Sequence, residues 1–390
     1  MGDSCCMFNI QLPRQYLDIE HDCNIAMLSN LLMNLFFPGI LWLSDENQGI
    51  IEDPDSIRMW SRIPPHLTST KTPYFPSSPI DRNFYNSLTL TFAEKRTNKM
   101  SENFHPVFRK GATALITGAA SGIGLATAHF CYSRGMNLVL LDVYEHSLLE
   151  VASHLPSTSE TRTSIFHLDV SDTNAWKVLQ QSISTMHPDG IDFLMLNAGC
   201  SVEPQAGKTV WQDPEYFART LAVNTLGYTN GIAILLDTIK NGKESKPRAI
   251  TLTGSKQGIT NPPGNPAYNA SKAAVKSIAE QLSFHLHADH PEISVHLLVP
   301  GWTYTGFSAA RFPTKPDGAW APEQVVNYMN RKMAGGVFYI VCPDNEVSEE
   351  TDRKRIVWSS GDVVYERPPL SRWRADWKET AANEIKKITL

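Results

Sequence analysis

Thr113-Ala114-Leu115-Ile116-Thr117-Gly118-Ala119-Ala120-Ser121-Gly122-Ile123-Gly124 runs from a short apolar segment straight into three spaced glycines. The first five residues suit a buried strand, and a helical pattern opens at about Ile123. Gly118 permits the tight strand-to-helix turn, Gly122 lets the backbone approach a pyrophosphate, and Gly124 allows the helix to pack closely on a sheet. With Ser121 and Ile123 these glycines form a cradle at a helix N-terminus, where unpaired N–H groups and a partial positive charge face a phosphate. No Lys-Ser/Thr pair follows the glycines, so this is not a Walker-type loop.

The same β-then-α rhythm continues outward to about Asp344. Strands are expected at Thr113–Thr117, Asn137–Leu141, Ser164–Leu168, Phe193–Asn197, Ala249–Thr253, Ser294–Val299 and Val337–Val341, with helices between them. Several of these strands are continuous apolar runs, as required when helices cover both faces of a parallel sheet. The fold class that follows is α/β: one doubly wound parallel sheet, a Rossmann fold, over residues 106–345.

Residues 1–105 do not share this rhythm and read as an irregular, weakly ordered extension. Its segment 24–43 is apolar but interrupted by Asn30, Asn34 and Pro38-Gly39, and acidic residues precede it. A membrane association stays open but is the weaker reading against a short packed helix. The start Met1-Gly2-Asp3-Ser4-Cys5-Cys6 lacks the Ser or Thr at position 6 that dual acylation would need. Residues 346–390 form a charged tail, with surface helices expected at Ser348–Val357 and Ser371–Ile385, parted by Gly361 and Pro368-Pro369.

A net charge of -5 with no dense basic block gives no support for a nucleic-acid partner. Six scattered cysteines without CxxC spacing point to reduced thiols, a cytoplasmic setting and no zinc site. His285, His287 and His290 do not share one helix face, so no metal is expected there. The sequon Asn269-Ala270-Ser271 falls inside a helix and is rejected as a glycan site. Cys200 reads as a packed thiol near the cleft.

Asp142 ends the second strand, 18 positions past Gly124. A carboxylate there accepts hydrogen bonds from adenosine ribose hydroxyls and repels a 2′-phosphate. Val143, Tyr144 and Glu145 bring no cation, so NAD is favoured over NADP.

Tyr268 and Lys272 open an amphipathic helix running to about His287. Their i, i+4 spacing puts phenol and ammonium on one face. A nearby ammonium favours the phenolate, which fits Tyr268 for proton transfer with an alcohol or a carbonyl. That spacing is common on helix surfaces, and the context decides. Ser255 lies 13 residues upstream, just past a buried strand, at the sheet edge where ligands of open α/β folds bind. Its hydroxyl can hold a substrate oxygen there, and Gly254-Ser255-Lys256-Gln257-Gly258 lacks the spacing of a hydrolase elbow.

These motifs, in this order, resemble the short-chain dehydrogenase/reductases over roughly 60% of the chain, from about Val107 to Asp344. The likeness includes the glycine loop at 117–124, Asp142, Leu168-Asp169-Val170, Asn197-Ala198-Gly199, Asn224, Ser255, Tyr268, Lys272 and Pro300-Gly301. The resemblance implies a hydride transfer between NAD(H) and an alcohol or ketone, with Asn224, Ser255, Tyr268 and Lys272 as the catalytic set. It implies adenine contacts from Asp169 and Val170 and a sheet-stabilising role for Asn197. Asn224, interrupting a helix over Phe217–Ile234, would hold a water in a proton relay to Lys272, which would also bind the nicotinamide ribose. Thr303 and Thr305 would meet the nicotinamide carboxamide, although Thr303 stands where the family usually has an aliphatic residue. The resemblance also implies a homodimer or homotetramer.

The segment Gly306–Trp320, with Phe307, Phe312 and Trp320, is expected to cover the pocket and to suit an apolar or aromatic small-molecule substrate. The alternative is a catalytically silent dinucleotide-binding regulatory or scaffold protein, against which the intact catalytic set argues.

Overall fold

The computed structural model describes residues 104–241, 246–309 and 312–390, without the side chain of residue 309. The expectations for residues 1–103, including segment 24–43, lie outside the described residues.

Seven strands form one sheet: β1 (Thr113–Thr117), β2 (Asn137–Asp142), β3 (Thr163–His167), β4 (Phe193–Leu196), β5 (Arg248–Thr253), β6 (Ile293–Val299) and β7 (Tyr339–Val341). Their order is β3-β2-β1-β4-β5-β6-β7, and every pairing is parallel. The chain leaves β1 toward β2 and β3, then returns to the other side of β1 with β4. That reversal makes a topological switch point beside β1.

Helices cover both faces because the central strands carry apolar residues on both. On β2, Leu138 and Leu140 join one core and Val139 and Leu141 the other; on β4, Phe193 and Met195 face the first, Leu194 and Leu196 the second. The first core is completed by α1 (Gly122–Ser133), α2 (Glu145–His154) and, from near the chain's end, α9 (Pro322–Ala334). The second core holds α3 (Thr173–Met186), α5 (Gly227–Lys240) and α7 (Pro266–Asp289). The short helices α4 (Pro214–Leu221), α6 (Gln257–Thr260) and α8 (Gly306–Ala309) lie on the way.

Three segments refine or correct the sequence reading. The interruption expected at Asn224 in the helix over 217–234 is a π-helical turn, Ala222–Leu226, which joins α4 and α5 with Asn224 at its centre. Near the C-terminus α10 (Glu349–Val364) runs straight through Gly361. A β-carbon at Gly361 would come 2.7 Å from the Arg367 guanidinium, which stacks 3.8 Å from the Trp358 ring. The glycine makes room for that cation and does not stop the helix. Ser371 is buried, donating to Asp362 and accepting from Trp358 Nε1, so the last helix, α11, starts only at Lys378 and ends at Lys387. Trp358, Ala381 and Ile385 form a small core of their own. Among the described residues no helix is long and apolar enough to cross a membrane.

Candidate active site

The glycine cradle sits at the switch point. A β-carbon on Gly124 would run into the Gly118 carbonyl oxygen, and one on Gly122 would come 2.9 Å from Thr305 Cβ. Gly118 and Gly122 have φ of +65° and +54°, backbone that favours glycine. Ser121 caps α1 without a side-chain bond to the helix, and Leu125 N is bonded back to Ser121 O. The preceding N–H groups of the first turn have no intrahelical acceptor and suit a phosphate. Asp142 Oδ2 accepts from Ala120 N at 2.9 Å and Oδ1 from Tyr144 N at 3.2 Å, which ties the end of β2 to the glycine turn. Each carboxylate oxygen keeps a further lone pair for a ribose hydroxyl.

Three strand ends are stitched together behind this cradle. Thr117 Oγ1 accepts from Asn197 N and Ala198 N at 2.8 and 3.0 Å. Asn197 Nδ2 donates to Thr117 O, and Asn197 Oδ1 accepts from Thr253 Oγ1 at 3.2 Å. Asp169 Oδ1 folds its own loop by accepting from Ser171 N and Oγ. Val170 packs where Gly227 lacks a side chain, and a β-carbon there would lie 2.6 Å away.

Ser255, Tyr268 and Lys272 converge at the C-terminal end of β5. Asn265 caps α7 by accepting from Tyr268 N at 3.4 Å, and its Oδ1 also accepts from the Tyr216 hydroxyl at 2.8 Å. The helix therefore starts at a fixed point, with Tyr268 and Lys272 one turn apart. The Ser255 hydroxyl faces the Tyr268 phenol closely enough to favour the phenolate, and it accepts from Gln257 N at 3.2 Å. Lys272 Nζ lies 5.8 Å from the Tyr268 ring centroid and is buried.

The Lys272 ammonium donates to Thr253 O at 2.8 Å and to the Tyr228 hydroxyl at 3.3 Å. Tyr228 is itself buried and donates to the same Thr253 carbonyl at 3.2 Å. Sequence reasoning missed Tyr228. The signal available was its position one turn beyond Asn224, on the sheet-facing side of the helix. The Asn224 side chain accepts from Cys200 N at 2.8 Å and donates to Cys200 O and Ser271 Oγ at 2.9 and 3.0 Å.

Burial dominates the electrostatics. It brings Lys272 down to about 7, opposed by the nearby Cys200 thiol. It raises Tyr268 above the usual phenol value, and the Ser255 hydroxyl opposes that rise. Lys272 is not among the groups that shift the phenol, and its hydrogen bonds point to Thr253 and Tyr228 instead. Cys200 is raised by burial, against the pull of Lys272.

The segment after β6 closes the site. Thr305 abuts Gly122, and Gly306 faces Ser121. Thr303 Oγ1 donates to Gly301 O, and Thr303 pairs with Trp320 in a parallel bridge. The three aromatic residues expected over the pocket separate. Phe307 stands 5.9 Å from the Tyr268 ring and is exposed, while Phe312 packs on Trp302 at 5.7 Å. Trp320 leaves the pocket to pack on Tyr328 in the first core, because its backbone is pinned to Trp302 and Tyr304. Among the described residues no group of His, Cys, Asp or Glu is placed to hold a metal ion.

A family model described as short chain dehydrogenase matches residues 112–316, over half of the chain. Fold and match define the class, an oxidoreductase on a doubly wound sheet. The chain belongs to the short-chain dehydrogenase/reductase family, enzymes acting on CH–OH and ketone groups. It is 29% identical to 3-dehydrosphinganine reductase TSC10A of Arabidopsis thaliana, across 60% of this chain and 71% of that one. It is 30% identical to 11-beta-hydroxysteroid dehydrogenase A of Sesamum indicum, across 52% of this chain and 55% of that one. A short chain dehydrogenase/reductase from Burkholderia phymatum, solved in complex with NAD, superposes with a TM-score of 0.58 at 26% identity, over 68% of this chain and 98% of that one.

Proposed function

We propose that this chain is an NAD(H)-dependent oxidoreductase of apolar alcohols and ketones, with Tyr268 as the group that exchanges the proton. The observation that carries the reading is the convergence of the Tyr268 phenol, the Ser255 hydroxyl and the buried Lys272 ammonium beside the switch point. The residues fit the dinucleotide: no β-carbon fits at Gly118, Gly122 or Gly124, and Asp142 stands at the end of β2. Gly118, Ser121, Gly122, Ile123 and Gly124 would hold the pyrophosphate and Asp142 a ribose, with Asp169 and Val170 at the adenine. Lys272 would hold the other ribose, and Thr303 and Thr305 the carboxamide. The bound nicotinamide supplies the hydride donor or acceptor.

The chain's own residues handle the oxygen. Ser255 hydrogen-bonds the substrate oxygen and steadies its developing charge. Tyr268 gives its proton to that oxygen during reduction and takes it back during oxidation. A buried ammonium at Lys272 offsets the negative charge of the phenolate. The Asp142 carboxylate disfavours a 2′-phosphate, and a solved neighbour described with NAD supports the same cofactor. Exposed Phe307 beside Tyr268 supports an apolar substrate, as do relatives named for 3-dehydrosphinganine and an 11-beta-hydroxysteroid.

The test is a panel of cyclohexanone, acetophenone, a 3-keto sphingoid base and an 11-keto steroid, each with NADH and with NADPH. Oxidation of NADH in preference to NADPH by at least one ketone is expected. Tight dinucleotide binding with no turnover of any ketone, or of the matching alcohols, would instead favour a silent binding protein.

A further inference from the structure

Lys256, one residue past Ser255, is gripped by the C-terminal part of the chain. Its ammonium pairs with Asp344 at 3.1 Å and with Asp352 at 2.5 Å. The lysine side chain is 19% exposed and each carboxylate only 6%. Asp344 lies in the loop after β7, and Asp352 in the first turn of α10. Asp344 Oδ2 also accepts from Trp302 N at 3.1 Å, and Oδ1 from Glu346 N and Val347 N at 3.1 and 2.8 Å. One carboxylate therefore spans the loops that follow β5 and β6, which flank Tyr268 from two sides.

The turn carrying Ser255 is pinned on its other side as well. Lys256 O accepts from Ile259 N and Thr260 N at 3.1 and 2.9 Å. A β-carbon on Gly258 would come 2.5 Å from the Lys272 carbonyl carbon, so this turn rests directly on the Lys272 backbone. Simple packing would not need charges here. Burying one cation and two carboxylates costs desolvation that apolar residues avoid, and burial raises the Asp352 carboxyl. The Lys256–Asp344 contact is a directed hydrogen bond, which fixes a geometry that apolar contacts leave loose, and Asp352 adds its charge to the same ammonium. Arg355 and Arg372 act on the Asp352 side and temper the excess negative charge.

We infer that Lys256, held by Asp344 and Asp352, is a positioning residue that aims the Ser255 hydroxyl, which makes helix α10 a working part of the active site. The inference rests on the role proposed above for Ser255. Misplacing a reacting or oxygen-holding group by about 1 Å can cost on the order of a hundredfold in rate.

The test is the pair Lys256→Met with Asp352→Asn, in the full chain, assayed with NADH and the most active of the four ketones above. This pair leaves no lysine charge unmatched, and Asp344 keeps its three backbone donors. The expected result is a kcat lower by about ten- to a hundredfold, with KM for NADH and melting temperature near wild type. In a Ser255→Ala background the same pair should change kcat by less than about twofold, because both act on one hydroxyl. A kcat at the wild-type level, or the same fold-loss in both backgrounds, would overturn the inference. Should the pair fail to fold, Asp352→Asn alone takes its place, with a several-fold kcat loss that again vanishes in Ser255→Ala. A wild-type protein inert on all four ketones would overturn the proposed function and this inference together, a result distinct from an active wild type with an unaffected variant.

Discussion

Gly124 shows how little freedom a single position of the cradle has. Its missing side chain faces the Gly118 carbonyl oxygen and, at 2.9 Å, the Asn197 amide that stitches the strand ends. Neither neighbour can swing away, since one is backbone and the other is held by Thr117 and Thr253. Gly124→Ala is therefore expected to destabilise the fold by about 1–3 kcal/mol and to weaken NADH binding, measured by thermal melts and fluorescence titration. Full retention of both would mean that helix α1 can move off the sheet. Asp142 is a separate case, because its carboxylate has a structural task at Ala120 N as well as the proposed ribose contact. Asp142→Asn removes the charge and can keep the acceptor toward Ala120 N, giving up the one toward Tyr144 N. The expected outcome is a fall of about tenfold or more in the NADH-over-NADPH ratio of kcat/KM, about 1.4 kcal/mol per decade. An unchanged ratio would place the selectivity elsewhere.

At the scale of elements, the segment before β1 is tied to β6 through a buried histidine pair. The His105 and His296 rings meet edge to face at 5.6 Å, and Ser294 Oγ lies 3.4 Å from one and 2.9 Å from the other. Burial is the main cause that lowers both; repulsion from His296 adds to it at His105, which falls to about 4, while the hydrogen bond to the Val337 carbonyl opposes it at His296. A folded value below the unfolded one near 6.5 means the neutral rings contribute fully above pH 6.5. That contribution is lost as pH falls from 6.5 toward 4, by up to about 3 kcal/mol for His105. The melting temperature should drop over that window, and His105→Asn should flatten the drop; an identical acid profile in the variant would contradict this. Elements also show where sequence reading stopped short. The seven strands were legible because their apolar runs are bounded by turn residues. The break at Asn224 was read from the family likeness, but its π form was not, since it goes with the Asn224 side chain reaching Cys200 and Ser271 across the fold. The continuation of α10 through Gly361 depends on Arg367, six residues further on, and a lone glycine in sequence reads as a break.

For the whole molecule, the sheet order brings together residues that stand far apart in the chain. The cradle, Asp142 and the Ser255, Tyr268 and Lys272 set were legible because each motif is local and each follows a strand end. Tyr228 and the Lys256 pairs with Asp344 and Asp352 were hidden because they exist only once strands β4 to β7 and α10 are in place. The aromatic cover was half read for the same reason: Phe307 reaches Tyr268, while Trp320 answers to the core beneath α9. The central claim concerns the phenol at the mouth of this sheet, and Tyr268→Phe tests it most directly, with NADH oxidation and NADH binding measured side by side. Turnover of the best ketone should fall by roughly a thousandfold or more, with the dissociation constant for NADH within about threefold of wild type. A Phe variant that still turns over at near the wild-type rate would contradict the account.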